Sequence, residues 1–157
     1  MTNADWRSLV EDQQKRAKLH RKRGDALRRT GQLDQAMKEF RAGLSVLNQA
    51  ISTLESTPAW ALTTPGAPGS LGNEARDVLA ELIEAYGSCG GMHRRLGELP
   101  AALQAYRNGA KLESDHGATS TYNRVNAVKL ALLSSAAGLA AMRPDIAALE
   151  ALLTRQL

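Results

Sequence analysis

Cys89 and His93 stand one helical turn apart in this 157-residue chain. A thiol and an imidazole at that spacing make a nucleophile–base pair or half of a metal site. The chain holds one cysteine and three histidines, and no further Cys or carboxylate is placed in the sequence to complete either constellation. Both residues fall on an apolar stripe, where they read as packing, and His20 reads the same way. Asp115 and His116 fall at a turn and read as helix capping. The glycine-rich stretch GSCGGMHRR (87–95) lacks the Lys-Ser/Thr ending and the preceding strand of a phosphate loop. No catalytic constellation, cofactor site or metal site is expected, and the chain reads as a non-enzyme.

Charge is the next chemical signal. The formal net charge is +4, and all of the excess lies between residues 15 and 29. There Lys15, Arg16, Lys18, Arg21, Lys22, Arg23, Arg28 and Arg29 face one acid, Asp25, so the rest of the chain is slightly negative. Such a run is an electrostatic footprint for nucleic acid or for an acidic protein surface. It carries no aromatic residue for base stacking, and Asp25 interrupts it. The protein reading is therefore preferred to the nucleic-acid one. No apolar stretch reaches the roughly 20 residues of a membrane span, and no signal peptide is recognised. The single cysteine excludes an internal disulfide and fits a reducing cytoplasm.

These residues must be positioned by helices. Apolar and small residues recur at spacings of three and four in four stripes. The first runs Trp6, Leu9, Val10, Ala17, His20, Gly24, Leu27 and ends near Thr30-Gly31. The second runs Leu33, Ala36, Met37, Phe40, Leu44, Leu47, Ile51, Leu54 and stops before Pro58. The third runs Val78, Leu79, Leu82, Ile83, Tyr86, Cys89/Gly90, His93, Leu96. The fourth runs Leu99, Ala102, Leu103, Tyr106, Ala110, Leu112. Residues 58–72, PAWALTTPGAPGSLG, carry three Pro and three Gly and are not expected to form regular helix. Trp60 and Leu62 within them either pin the loop to the body or anchor a partner. A fifth helix is expected over about 118–138, with Tyr122, Val125, Val128, Leu132 and Leu133 inward. Pro144 opens a last helix bearing Ile146, Leu149 and Leu153. No segment alternates like a strand, so the expected fold is all-α. It comprises three antiparallel hairpins in one domain: 5–57, the loop 58–72, 73–114, and a third hairpin or cap at 117–157.

Two stretches repeat without a gap at an offset of 66: GDALRRTGQLDQAMKEFRAGLSV (24–46) and GGMHRRLGELPAALQAYRNGAKL (90–112). Gly24/Gly90, Arg28/Arg94, Arg29/Arg95, Gly31/Gly97, Leu33/Leu99, Ala36/Ala102, Arg41/Arg107 and Gly43/Gly109 are identical, and Phe40 is matched by Tyr106. This pattern resembles the tetratricopeptide repeat. The family places small residues and an aromatic where Gly24, Gly31, Ala36, Phe40 and Gly43, and their counterparts, stand here. The offset of 66 departs from the usual period of about 34 residues; the excess is assigned to a long second helix and the 58–72 insertion. The resemblance implies a short right-handed solenoid of about six helices.

It also implies a partner groove lined by the first helix of each hairpin. Its positions are Lys18, Arg21, Asp25, Arg28 and Arg29 in the first copy, then Glu84, Gly87, Gly91, Arg94 and Arg95 in the second. Arg124 and Lys129 extend it. Helical spacing independently sets Arg21, Asp25 and Arg28 on one face. Arginine forks recognise carboxylates, so the expected partner is an acidic peptide or protein; the alternative is a solvated charged face. Gly87, Gly90 and Gly91 each cost a helix about 1 kcal/mol relative to alanine. Gly90 is the family's packing glycine, whereas Gly87 and Gly91 either admit another chain closely or mark a kink. The stretch STYNRVNAVKLALL (120–133) resembles a segment of bacterial repeat proteins encoded beside effectors of conflict systems. That implies an effector protein as partner, docking near Tyr122, Asn123 and Asn126; alternatively Asn126 hydrogen-bonds a neighbouring turn. Self-assembly through the long second helix or the last helix is the remaining expectation.

Overall fold

Two turns of the same construction fold the chain into antiparallel hairpins. The computed structural model describes residues 3–63, 72–118 and 120–134. In it α1 (Asn3–Arg29) is followed by α2 (Leu33–Glu55), and α4 (Asn73–Leu96) by α5 (Leu99–Asp115), with the short α3 (Pro58–Ala61) between the hairpins and α6 (Tyr122–Ser134) after them. Gly31 and Gly97 take φ values of 79° and 77°, a left-handed conformation that glycine adopts without steric penalty. The N–H groups of Gln32 and Glu98 then donate to the carbonyls of Leu27 and His93, both at 2.9 Å. Those of Gly31 and Gly97 donate to Arg28 and Arg94, both at 3.2 Å. The pairing satisfies carbonyls at each helix end that have no partner within the helix.

A second glycine in each copy closes the hairpin. A Cβ on Gly24 would lie 2.4 Å from Cε1 of Phe40, and one on Gly90 would lie 2.6 Å from Cε1 of Tyr106. Both rings are 1% exposed. Gly43 and Gly109 serve the next contact outward. A Cβ on Gly43 would meet Met92 of α4 at 2.6 Å, and one on Gly109 would meet Asn123 of α6 at 2.5 Å. Packing therefore runs in chain order: α1 on α2, α2 on α4, α4 on α5, and α5 on α6. The main core gathers Val10, Phe40, Leu47, Leu54, Val78, Leu82 and Met92. All regular structure among the described residues is helical.

α6 is held by polar chemistry. Glu113 of α5 is 1% exposed. Its carboxylate accepts the N–H groups of Asn123 at 3.0 Å and Arg124 at 3.2 Å, together with the Asn123 amide at 3.1 Å. A carboxylate there satisfies first-turn donors and opposes the positive end of the helix dipole. Asn123 also donates to the Ile83 carbonyl at 2.9 Å, so one buried side chain ties α6 to α4 and α5.

That tether corrects the expected rotation of the fifth helix. With Asn123 inward, the buried residues are Ala127, Val128, Leu130 and Ala131. Tyr122, Val125 and Leu133 face outward at 56%, 42% and 74% exposure. The helix begins at Tyr122 rather than about 118, and expectations for residues 135–157, including the Pro144 helix, lie outside the described residues. Within 58–72 the expectation of no regular helix fails for residues 58–61. Pro58 opens α3 and the Thr57 hydroxyl caps it by accepting the Trp60 N–H at 3.2 Å. Residues 64–71 lie outside the described ones. Trp60 packs on the core and pins the segment, while Leu62 is exposed. Leu9, Leu33, Met37 and Leu99 were expected inward and are exposed. Leu33 and Leu99 open their helices directly after the turns, where the partner helix has already ended.

Gly24→Ala and Gly90→Ala should each lower stability by about 1–3 kcal/mol, the cost of overpacking a filled contact. Urea denaturation of the two single variants checks this, and an unchanged midpoint in both would contradict the packing described.

Candidate functional site

α1 and α4 lie side by side, bridged by long polar side chains. Trp6 Nε1 donates to Glu74 at 3.2 Å, Arg7 pairs with Asp77 at 2.7 Å, and Gln14 donates to Glu81 at 2.5 Å. Arg95 grips Asp25 with two bonds of 2.9 and 3.2 Å. The partners rise together in number, at separations of 67 to 70 residues, so the helices run parallel. Between the rungs lies a cleft of about 450 Å³. Lys15, Lys18 and Arg21 line it from α1, Glu84, Gly87, Gly91 and Arg95 from α4, and Tyr122 closes one side.

The two ends of this cleft differ in charge. Asp25 sits at one end. Burial opposes its charge, but the Arg95 hydrogen bonds and the charges of Arg95, Arg28 and Arg21 together hold its carboxyl below the ordinary value. Three guanidinium groups around one carboxylate leave an excess of positive charge. At the other end, burial pushes the Glu81 carboxyl up, and Glu84, Asp77 and Glu11 add to the effect against the hydrogen bond from Gln14. Asp77, Glu81 and Glu84 follow helical spacing on α4, so carboxylates outnumber the cations Arg7 and Lys15 that pair with Asp77 and Glu11 there.

Of the groove residues expected from sequence, Lys18, Arg21, Glu84, Gly87, Gly91 and Arg95 come together in the cleft. Asp25 and Arg28 stand at its end as an ion pair of 3.7 Å, with Asp25 holding Arg95 in place. Arg29 is exposed beyond it. Arg94 lies beside the Tyr106 hydroxyl, outside the cleft lining. Arg124 turns away and donates to Ser114 at 3.0 Å; Lys129 is exposed on α6 and does not line the cleft. The last two do not extend the groove, because the Glu113–Asn123 tether sets the rotation of α6. Asn126 donates to the Tyr122 carbonyl one turn back in its own helix at 2.8 Å.

The three helical glycines separate by what surrounds them. Gly90 is required by Tyr106. Gly87 is required by α6, since its Cβ would lie 2.9 Å from Asn123 Oδ1 and 3.0 Å from the Tyr122 ring. Gly91 has no such neighbour: its Cβ would meet only Arg95 at 3.5 Å and the Tyr106 hydroxyl at 3.9 Å, both ordinary contacts. Gly91 weakens α4 without a packing reason inside the described fold, and it lines the cleft.

A larger cavity of about 720 Å³ adjoins the cleft on the α6 side. Leu79, Ala80 and Ile83 form its apolar wall, and it shares Glu84, Ser88 and Tyr122 with the cleft. His116 also lines it, buried at 6% exposure. Its Nδ1 has no hydrogen-bond partner among the described residues. Sequence reasoning placed His116 as a cap. It does end α5, with its N–H on the Leu112 carbonyl, but its ring forms a cavity wall that only folding creates.

The thiol–imidazole pair is dissolved by its surroundings. Burial pushes the Cys89 thiol up to about 12, far from a nucleophilic thiolate at neutral pH. His93 bonds Glu98 and His20 bonds Glu39, both at 2.7 Å, so these imidazoles are half-buried hydrogen-bonding groups rather than apolar packing. No cluster of three or more metal-ligating side chains occurs among the described residues. No helix among them is long and apolar enough to cross a membrane. No protein-family model, curated protein or solved structure matches this chain.

Two measurements follow from this geometry. Gly91→Ala should stabilise the protein by about 1 kcal/mol, raising the melting temperature by about 2–4 °C; a lower one would show that the glycine is structurally required. Because the Asp25 pKa lies below its ordinary 3.8, its stabilising contribution is complete above that value. It is lost as pH falls through the folded-state pKa. Asp25→Asn should therefore destabilise by about 1 kcal/mol at pH 7, and the difference between the variants should narrow as pH falls below 3.8. A gap in urea midpoint that persists undiminished at low pH would contradict the assignment.

Proposed function

We infer that the protein is a non-enzymatic binding module of tetratricopeptide-like hairpins that receives an acidic peptide or protein segment in the cleft between α1 and α4. One observation carries this reading. Arg21, Arg28 and Arg95 surround the single carboxylate of Asp25, and Lys18 lines the same cleft with no ion-pair partner among the described residues. Lys18, Arg21 and Arg28 present that excess charge at the surface while Arg95 is half-buried against Asp25, so a carboxylate ligand meets several donors in one place. Chain-order packing and the repeated glycine–aromatic contacts support the solenoid reading. An effector of a conflict system is the kind of acidic partner that the 120–133 resemblance suggests.

A second reading rests on different residues. Lys22, Arg23 and Arg29 are exposed, lie outside the cleft and have no ion-pair partner among the described residues, which favours a nucleic-acid backbone on the outer face of α1. The two readings separate cleanly. Lys18→Glu with Arg21→Glu should reduce capture of an acidic peptide by more than about tenfold, or 1.4 kcal/mol, while the helical circular dichroism spectrum is unchanged. Unaltered capture by that variant would remove the cleft reading. Binding of duplex DNA or RNA that weakens steeply with salt, and is lost on Lys22→Glu with Arg23→Glu, would establish the second reading in its place.

A further inference from the structure

The cleft and the larger cavity beside it adjoin, with Glu84, Ser88 and Tyr122 in the walls of both. Their chemistry differs. The cleft is basic at the Arg21–Arg95 end, whereas the cavity presents Leu79 and Ile83, which sit at the more acidic end of α4. We propose that the two form one peptide site, and that its ligand is an extended segment with an acidic group at the Arg21–Arg95 end and a bulky apolar side chain in the 720 Å³ cavity. This rests on the cleft reading above and specifies its ligand.

Four observations support this single occupant. Charge and polarity set its direction: the guanidinium cluster attracts an acid at one end, while at the other Leu79 and Ile83 offer apolar surface and the charges of Arg76 and Glu84 oppose each other. The cavity's wall is apolar but includes buried His116, whose Nδ1 has no partner among the described residues; a ligand backbone group supplies one. Tyr122 stands 56% exposed between the two chambers, its ring set edge-on to Tyr106 at 6.3 Å, so a flat aromatic wall is held where a passing chain needs one. Gly91, whose lack of a side chain nothing in the described fold requires, lines the cleft at the Arg21–Arg95 end, where a peptide main chain can approach α4 closely.

Helix geometry sets the ligand's spacing. The Gln14–Glu81 and Asp25–Arg95 rungs bring Arg21 roughly level with Gly91 on α4. From Ile83 to Gly91 α4 rises about 12 Å at 1.5 Å per residue, and an extended chain covers that in roughly three or four residues at about 3.4 Å each. The recognised pattern is therefore an apolar residue and an acid three or four positions apart.

Selection of a displayed random library of about twelve-residue peptides on the full chain, with about tenfold enrichment over unselected peptides as the threshold, tests this. One enriched peptide is then labelled with fluorescein and titrated by anisotropy. The enriched peptides should carry the acid-and-apolar pattern at that spacing. Replacing the apolar residue by serine should weaken binding at least about tenfold. Ala80→Trp, at an exposed position on the cavity wall, should do the same with an unchanged melting temperature, and Gly91→Ala should weaken binding while raising it. Peptides enriched for acids alone, whose binding ignores both Ala80→Trp and the serine replacement, would overturn the two-chamber site and leave the cleft reading standing. No enrichment, or binding indifferent to Lys18→Glu with Arg21→Glu, would overturn both. The serine replacement is made in the peptide and reads the cavity even if a protein variant fails to fold.

Discussion

The contact between a glycine on one helix and an aromatic ring on the next, made once by Gly24 and Phe40 and again by Gly90 and Tyr106, underlies the rest of the structure. A ring pressed against bare backbone brings two helices closer than any side chain at the glycine would permit. That closeness fixes α1 on α2 and α4 on α5. The glycines Gly43 and Gly109 then set where the following helix packs. Once α2 is wedged against α4, α1 and α4 are left parallel and slightly apart, joined by Arg7, Gln14 and Arg95 reaching across. The cleft is the space that remains between two helices held by a third.

Within that space the charges are arranged by pairing as much as by number. Asp25 is the acid in a basic run, and it does not cancel that run. Its carboxylate accepts two bonds from Arg95 and so brings a cation from the second hairpin into the neighbourhood of Arg21 and Arg28. An arginine held by a carboxylate loses little further conformational freedom when a ligand arrives. The acidic face of α4 at Asp77, Glu81 and Glu84 has the opposite effect at the far end. A groove with unlike ends distinguishes the two directions of an incoming chain, which a uniformly basic surface does not.

The placement of α6 was the least legible part of the described structure. The turn glycines and hairpin aromatics follow from a pattern that repeats, and the structure puts Gly31, Phe40, Gly97 and Tyr106 where that pattern implies. α6 has no repeat signature, and its apolar residues are consistent with more than one rotation. The choice is made by Glu113 and Asn123, a buried carboxylate and amide whose partners lie 10 and 40 residues apart. Nothing in the local sequence marks either as buried, since polar residues earn that position only from partners that folding supplies. Their tether turns Tyr122 outward and carries Arg124 away from the cleft. The same limit applies to the three glycines of α4. Sequence presents Gly87, Gly90 and Gly91 as equal breaks in a helix, and only the neighbours distinguish the two required by packing from the one that is not.

By itself the sequence determined that the described chain is helical, where its hairpins turn, which residues close them, and that its positive charge is concentrated on the first helix. These are matters of periodicity, of glycine's backbone freedom and of composition, all local to a few residues. Tertiary structure alone decided that Arg95 joins Arg21 while Arg94, Arg124 and Lys129 do not, that Asp25 organises the cluster, and that an apolar cavity adjoins the basic cleft behind Tyr122. Those outcomes depend on the relative placement of helices some 70 residues apart. That placement is set by the sum of all their packing contacts, to which no single segment holds the key.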